Sequence, residues 1–410
     1  MKKVLQLVIA LCLALTCFAP ASLAQAAAPS LSAKSAVVID AKTGQVLYAK
    51  NPRQARPIAS ITKLLTVYLT IKAIKQGKLS WQQRVKAPAA AIENTRHAAF
   101  TNVPLHKGHR YTIRQLYQAT LMASANGAAM TLGQAVAGSQ HAFVVQMRQQ
   151  AKDWGMTKAQ FYTACGLSNG DVGSARWQSV PAKAENELSA LNVAFIARQL
   201  LKLYPDIIKT TRQTSMNFVD QGQRTHMTSL NQMLPGQAYY QRDLPVDGLK
   251  TGTTDGVGQC FVSTAWLNGR RVICVVLGSN GQKNELQRFQ DTAQLLRYVQ
   301  NNYQQVSLPT GRQLGRVSVN RGQAKSVQFT LHKAQVYWDL LDGHQLSFKL
   351  ASVQAPVQAG SCLGEATVVS GPSKLRKLAG AESIKTIHTK IYAHQSVRKA
   401  GFWSWLRGLF

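Results

Sequence analysis

The apolar positions of the chain fall into stretches of different period, and the periods change at identifiable places. Val4 to Ala19 is apolar except at Gln6 and Thr16. It follows Lys2 and Lys3 and runs into Ala24-Gln25-Ala26. A basic start, a short apolar run and a small-x-small site predict a secretory signal peptide over residues 1–26, since the run is short for a stable membrane span. Residues 27–34 read as a leader. Ala36–Asp40 and Gln45–Ala49 predict two strands about a Lys42-Thr43-Gly44 turn. A helix is expected from about Ser60 to Gln76, stopped by Gly77. Residues 80–160 read as mainly helical. Leu188, Leu191, Phe195, Ile196 and Leu200 give a helical stripe over 186–204. Gly258–Trp266 and Arg270–Gly278 predict a hairpin about Asn268-Gly269. Lys283–Tyr303 reads as a helix with Leu286, Phe289, Leu295, Leu296 and Val299 apolar.

Beyond Val306 the pattern shortens to β-prone runs at Arg316–Val319, Ser326–Leu331, Gln335–Leu340, Gln345–Lys349 and Glu365–Val369, which predict a small β domain over residues 306–393. The segment 394–410 differs again. From Ser396 onward, Phe402, Leu406, Leu409 and Phe410 fall on one helical face with Trp405 alongside, flanked by Arg398, Lys399 and Arg407. Such a helix suits the surface of an anionic membrane. Residues 27–305 then form the main domain. Its two hairpins, from opposite ends, predict one antiparallel sheet with helices on its faces, an α/β (α+β) architecture. Consecutive β-α-β crossovers are not evident.

Charge sharpens this picture. The 410 residues carry 48 Lys+Arg against 17 Asp+Glu, a formal net charge of +31. An anionic partner is implied. With an export signal, anionic wall polymers or a membrane face fit better than nucleic acid, and the expected place of work is the outer face of the cytoplasmic membrane. Outside the signal, Cys165, Cys260, Cys274 and Cys362 form no C-x-x-C pair. The hairpin register places Cys274 opposite Ser263 and Cys260 opposite Leu277, so free buried thiols are expected. The nine histidines show no ligand spacing and read as surface or packing residues. No metal or cofactor is expected.

Candidate chemistry begins at Ser60-Ile61-Thr62-Lys63. A serine needs a base within hydrogen-bond reach, and positions i and i+3 of a helix share a face. A buried lysine beside a second positive charge can lose its proton near neutral pH. The motif alone is weak, because S-x-x-K recurs at Ser396–Lys399. S-x-N occurs at Ser124–Asn126, Ser229–Asn231 and Ser318–Asn320. K-T-G occurs at Lys42–Gly44 and Lys250–Gly252. Order selects among them: Ser60/Lys63, then Ser124-Ala125-Asn126, then Lys250-Thr251-Gly252 before a hairpin. There is no G-x-S-x-G, H-E-x-x-H or glycine-rich phosphate loop.

This ordered set resembles the penicillin-binding proteins and serine β-lactamases. Within them the chain resembles the low-molecular-mass D-alanyl-D-alanine carboxypeptidases, through Ala36–Asp40, Gly44–Tyr48, Pro57–Ser60 and Val246–Asp255. The resemblance implies a β-lactamase/transpeptidase-like domain carrying a small C-terminal β domain, a peptidoglycan pentapeptide substrate, and acylation by β-lactams. It implies Ser60 as nucleophile, Lys63 as its base, and Ser124 with Lys250 as a proton relay to the leaving D-alanine. It gives Asn126 the substrate amide, and Lys250, Thr251, Gly252 and Thr253 the segment that holds the terminal carboxylate. The backbone N–H groups of Ser60 and Thr253 would form the oxyanion hole.

Two positions depart from the family pattern: Gly127 stands where Asp is common, and Asn192 replaces another usual Asp. Glu185-Asn186-Glu187-Leu188 has the look of a deacylating-glutamate loop, but Ser189 breaks that pattern, and the carboxylates read as a helix start. A serine β-lactamase, or a non-catalytic sensing or wall-binding protein on the same scaffold, are the rival readings.

Overall fold

The computed structural model describes residues 28–254, 258–280, 286–340, 347–369 and 387–401. The signal-peptide expectation falls on residues outside these. So do residues 402–410 of the expected terminal helix.

A five-stranded antiparallel sheet organises the main domain, in the order Val46–Lys50, Ser35–Asp40, Arg270–Ser279, Gly258–Leu267, Val246–Thr254. The N-terminal hairpin is thus joined edge to edge with the later one, Val37 facing Val275 and Ile39 facing Ile273. The strands are apolar almost throughout because both faces are covered. Val37, Ile39, Val262, Ile273 and Val275 pack on the side of Leu64, Leu65, Leu191 and Ile196. Ala36, Val38, Phe261, Cys274 and Val276 pack against Phe289, Leu295, Leu296 and Val299 of the Gln287–Asn302 helix. Cys274 does face Ser263. The ladder shifts by a bulge between Gln259 and Phe261, so the expected pairing of Cys260 with Leu277 is not in register there. Cys165, Cys260 and Cys274 are free and buried, and Cys362 is free and exposed.

The 80–160 region is less helical than its pattern predicts. Its helices are Ala89–Thr95, Ile113–Met122, Asn126–Ala137 and Gln140–Asp153, and a small hairpin joins Arg84–Lys86 to Arg110–Thr112. The hairpin of Ser215–Asp220 and Gln223–Thr228 carries little apolar signal. Only Phe218, Asp220 and Met227 of its strands are buried, so most of its alternation is polar. The Glu185–Leu188 segment does not open a helix. Glu187–Leu188 pairs with Arg56–Pro57, and the helix Ala190–Leu203 starts after Ser189, whose Oγ accepts from the Asn192 N–H at 3.2 Å.

A strand spans the expected domain boundary at residue 306. Tyr303–Leu308, expected partly as helix, is a strand paired with Gln335–Leu340. A six-stranded sheet follows, in the order Ser347–Lys349, Cys362–Val369, Ile387–Ala393, Ser326–Leu331, Gly315–Asn320, Val353–Gln354. The residues from Ser396 to Gly401, expected to begin the terminal helix, are not helical. Val397 is buried and bridges Val357 through two 2.8 Å backbone hydrogen bonds, so its N–H and carbonyl are committed to the β domain. Among the described residues no helix is long and apolar enough to cross a membrane.

The two domains meet at Asp40. Arg270 grips its carboxylate with two bonds, Nε to Oδ2 at 2.7 Å and Nη2 to Oδ1 at 2.9 Å. Trp338 Nε1 donates to Oδ2 at 2.8 Å from the β-domain side. Thr43 closes the same carboxylate through its N–H and hydroxyl at 2.6 and 2.7 Å. The first K-T-G is therefore a structural turn.

Candidate active site

The position of Ser60 is set before any side-chain chemistry. Ala59–Thr62 is a 3-10 turn running into the α-helix Lys63–Lys75, so Ser60 lies on the turn just ahead of the α-helix and not, as expected, at its start. Ala59 takes φ +46°, a conformation uncommon for a residue with a Cβ. Its surroundings hold it there. The Ile58 N–H donates to Asn186 O at 3.0 Å. A Cβ on Gly166 would stand 2.0 Å from Ala59 O, and one on Gly252 would stand 2.8 Å from Ile58 O. The glycine of the second K-T-G thus lets the Val246–Thr254 edge strand lie against the backbone leading into Ser60.

Lys63 is fully buried and spends its ammonium on three acceptors: Ser60 Oγ at 2.8 Å, Asn126 Oδ1 at 2.7 Å and Cys165 O at 2.7 Å. Burial brings its pKa down to about 8. When Nζ loses a proton it keeps two N–H donors and gains one lone pair. Asn126 Oδ1 and Cys165 O can only accept. Ser60 is the one partner able to donate, so the lone pair turns to the serine hydroxyl. In this arrangement a neutral lysine can accept a proton from the serine hydroxyl.

Ser124 and Asn126 come from a tight junction. Ser124 has φ +55° between the helices Ile113–Met122 and Asn126–Ala137, and both residues are buried. The 97–109 loop fixes the junction. Thr101 Oγ1 donates to Ser124 O at 3.1 Å, the Asn126 N–H donates to Thr101 O at 3.0 Å, and the Gly127 N–H donates to Asn102 Oδ1 at 2.8 Å. Gly127 has a packing reason: a Cβ there would lie 2.8 Å from both Ala91 O and Thr95 Cγ2.

Lys250 is buried at the other wall, its Nζ donating to Thr251 O at 3.0 Å. Burial drives its pKa well below the usual lysine value, and the charges of Lys63 and Arg288 push the same way. Thr251 is buried and Thr253 exposed, on the strand that carries Gly252. Thr253 Oγ1 accepts from Arg288 Nη2 at 2.9 Å.

Arg288 escaped the sequence reading. Its guanidinium also donates to Gly252 O at 2.8 Å and Gln259 Oε1 at 3.1 Å, tying the K-T-G strand to its neighbour. The signal was present: a charged residue beside Phe289, on the buried side of an amphipathic helix. Asn186 was also missed. Fully buried, it accepts from the Tyr162 N–H at 2.7 Å and donates to Thr62 Oγ1 at 3.0 Å and Thr163 O at 2.8 Å. It thereby supports the backbone that presents Cys165 O to Lys63.

The decoy motifs stay apart. Asn231 N–H donates to Ser229 Oγ at 3.2 Å in a local turn, Ser318–Asn320 lies in a β-domain strand, and Lys399 bridges Gly322.

Residues 22–281 match the family model described as D-alanyl-D-alanine carboxypeptidase. D-alanyl-D-alanine carboxypeptidase DacF of Bacillus subtilis is 26% identical over 386 residues, covering 92% of this chain and 88% of that protein. Among solved structures, a peptidoglycan synthesis regulatory factor (PBP3) from Streptococcus pneumoniae is similar with a TM-score of 0.73 and 31% identity, over 90% of this chain and 100% of that one. Penicillin-binding protein D2 from Listeria monocytogenes, in its ampicillin-bound form, is 29% identical with a TM-score of 0.54, over 66% of this chain and 99% of that one. The S-x-x-K, S-x-N and K-T-G segments all lie inside the matched residues, and the chain belongs to the D-alanyl-D-alanine carboxypeptidase family of serine peptidases.

Proposed function

We propose that this D-Ala-D-Ala carboxypeptidase removes the terminal D-alanine of peptidoglycan stem peptides through an acyl-enzyme on Ser60. The observation that carries the assignment is the hydrogen-bond set of Lys63, in which Ser60 alone can return a proton. Ser60 Oγ attacks the carbonyl between the two D-alanines while Lys63 takes its proton. The C–N bond then breaks, and Ser124 with Lys250 delivers a proton to the leaving amine. Water cleaves the ester and frees Ser60. The Lys250 ammonium, with Thr251, Gly252 and Thr253 beside it, receives the substrate carboxylate as a point charge, and Asn126 meets its amide. Backbone N–H groups of Ser60 and Thr253 stabilise the oxyanion, each worth about 3 kcal/mol in such sites.

β-Lactams acylate the same serine in this reading, in keeping with the ampicillin-bound relative. The comparisons favour the carboxypeptidase over the β-lactamase and sensor alternatives. The basic, apolar start of the chain and the aromatic residues 402–410, with Arg407 among them, support export and peripheral attachment to an anionic membrane, and the +31 charge supports contact with anionic wall polymers. Incubation with ampicillin should add one drug mass to the intact protein, on the peptide containing Ser60. An unmodified Ser60→Ala protein supports the assignment. A Ser60→Ala protein acylated as fast as wild type would refute it.

A further inference from the structure

The histidines do not all behave as surface or packing residues. His106 Nδ1 and His109 Nδ1 both approach Asp220 Oδ2 at 2.8 Å, and His109 Nδ1 also lies 3.0 Å from Oδ1. Tyr111 donates its hydroxyl to the same Oδ2 at 3.0 Å. One carboxylate oxygen is therefore approached by a hydroxyl donor and two ring nitrogens, and an imidazole Nδ1 that carries no proton has a lone pair to offer a cation. Gly108, at φ +86° and with open space where a side chain would project, turns the chain so that residues 106 and 109 converge. Asp220 arrives from a different element, the end of the Ser215–Asp220 strand.

We infer that His106, His109 and Asp220 form a binding site for a zinc-class divalent cation, separate from the Ser60 centre. The three ligand atoms lie within 4.8 Å of one another. Two imidazoles and a carboxylate are a zinc donor set, leaving a fourth position for water; tetrahedral bonds of about 2.0–2.1 Å space such ligands about 3.4 Å apart. The present contacts need to open by roughly half an ångström to admit the ion. The His106 side chain is 57% exposed and can make that movement, while Asp220 is 8% exposed and held by Tyr111. A carboxylate ligand anchored by a hydroxyl is the usual outer-shell support of a metal. The ion would tie the Ser215–Asp220 hairpin to the 97–109 loop. That loop carries Thr101 and Asn102, which hold Ser124, Asn126 and Gly127 in place.

The test uses the full chain without a histidine tag, stripped with a chelator and dialysed against zinc chloride. Zinc content by atomic emission should reach about one equivalent, and zinc at about a hundred times its Kd should raise the Tm by about 5 °C. His109→Gln and Asp220→Asn should each lose the bound zinc and the Tm rise, while His332→Gln keeps both. Labelling of each variant by a fluorescent penicillin reports an intact fold, because none of these residues touches Ser60. Wild type that labels normally but binds no zinc would show a hydrogen-bonded cluster only and overturn the inference. Equal zinc uptake by His109→Gln and Asp220→Asn would overturn it too.

Discussion

Asn126 Oδ1 accepts a hydrogen bond from Lys63 Nζ at 2.7 Å, which joins the S-x-N segment directly to the S-x-x-K segment. The bond has two consequences. It holds Asn126 at the wall of the site, and it occupies one of the positions from which Lys63 could otherwise turn away from Ser60.

The pH dependence of acylation follows. Burial lowers the Lys63 pKa to about 8, and its neutral form is the base in the proposed mechanism. The rate of Ser60 acylation by a fluorescent penicillin should therefore climb about tenfold per pH unit up to about pH 8 and then level off. Folding stability has a linked sign. Between about 8 and 10.5 the unfolded lysine holds a proton that the native one has released, so stability should rise with pH across that window. Stopped-flow acylation and urea unfolding at stepped pH read the two effects separately.

Gly252→Ala should cripple acylation without unfolding the domain. The added Cβ would stand 2.8 Å from Ile58 O and 3.3 Å from Ala59 Cβ, and Ile58 and Ala59 lead into Ser60. A displacement of about 1 Å at a reacting atom can cost about a hundredfold. Acylation rate and thermal unfolding, measured on one preparation, distinguish a displaced nucleophile from a lost fold.

Gly127→Asp restores the residue common in the family and should nevertheless destabilise this chain. Its Cβ meets Ala91 O and Thr95 Cγ2, each at 2.8 Å. Overpacking of this kind costs about 1–3 kcal/mol. Urea unfolding of the variant against wild type checks it. An equally stable variant would show that the Ala89–Thr95 helix can move aside.

Asp40→Ala should cost about 3–5 kcal/mol, the usual result of leaving a buried partner uncompensated, here Arg270. Burial alone would raise the Asp40 pKa, but Arg270 and Thr43 outweigh it and hold the value below 3.8. The carboxylate's contribution is thus present above pH 3.8 and lost as pH falls through the lower native value. The difference between wild type and Asp40→Ala should therefore shrink in strong acid. Trp338→Phe, which keeps a buried ring but removes the donor to Asp40, should loosen the β domain while leaving penicillin acylation intact.

Much of this was legible in residue order. The three motifs specify their own chemistry, and the apolar runs of Ala36–Asp40 and Arg270–Gly278 placed the two hairpins that the sheet joins. What stayed hidden depends on contacts far apart in sequence. Arg288 lies on a helix whose apolar stripe marked it as buried, yet only the fold shows that its target is Gly252 O. Cys165 reaches Lys63 through its backbone carbonyl, a group that every residue carries and no side-chain pattern announces. His106 and His109 meet Asp220 across more than a hundred residues, through a hairpin whose polar strands have little hydrophobic signature.

The most direct measurement is D-alanine release from a synthetic peptide ending in D-Ala-D-Ala, followed by mass spectrometry for wild type and Ser60→Ala. Wild type should shorten the peptide by one D-alanine over many turnovers, and Ser60→Ala should leave it whole. An intact peptide with wild type, in protein that still binds penicillin at Ser60, would contradict the carboxypeptidase reading; equal release by Ser60→Ala would contradict the assignment of Ser60.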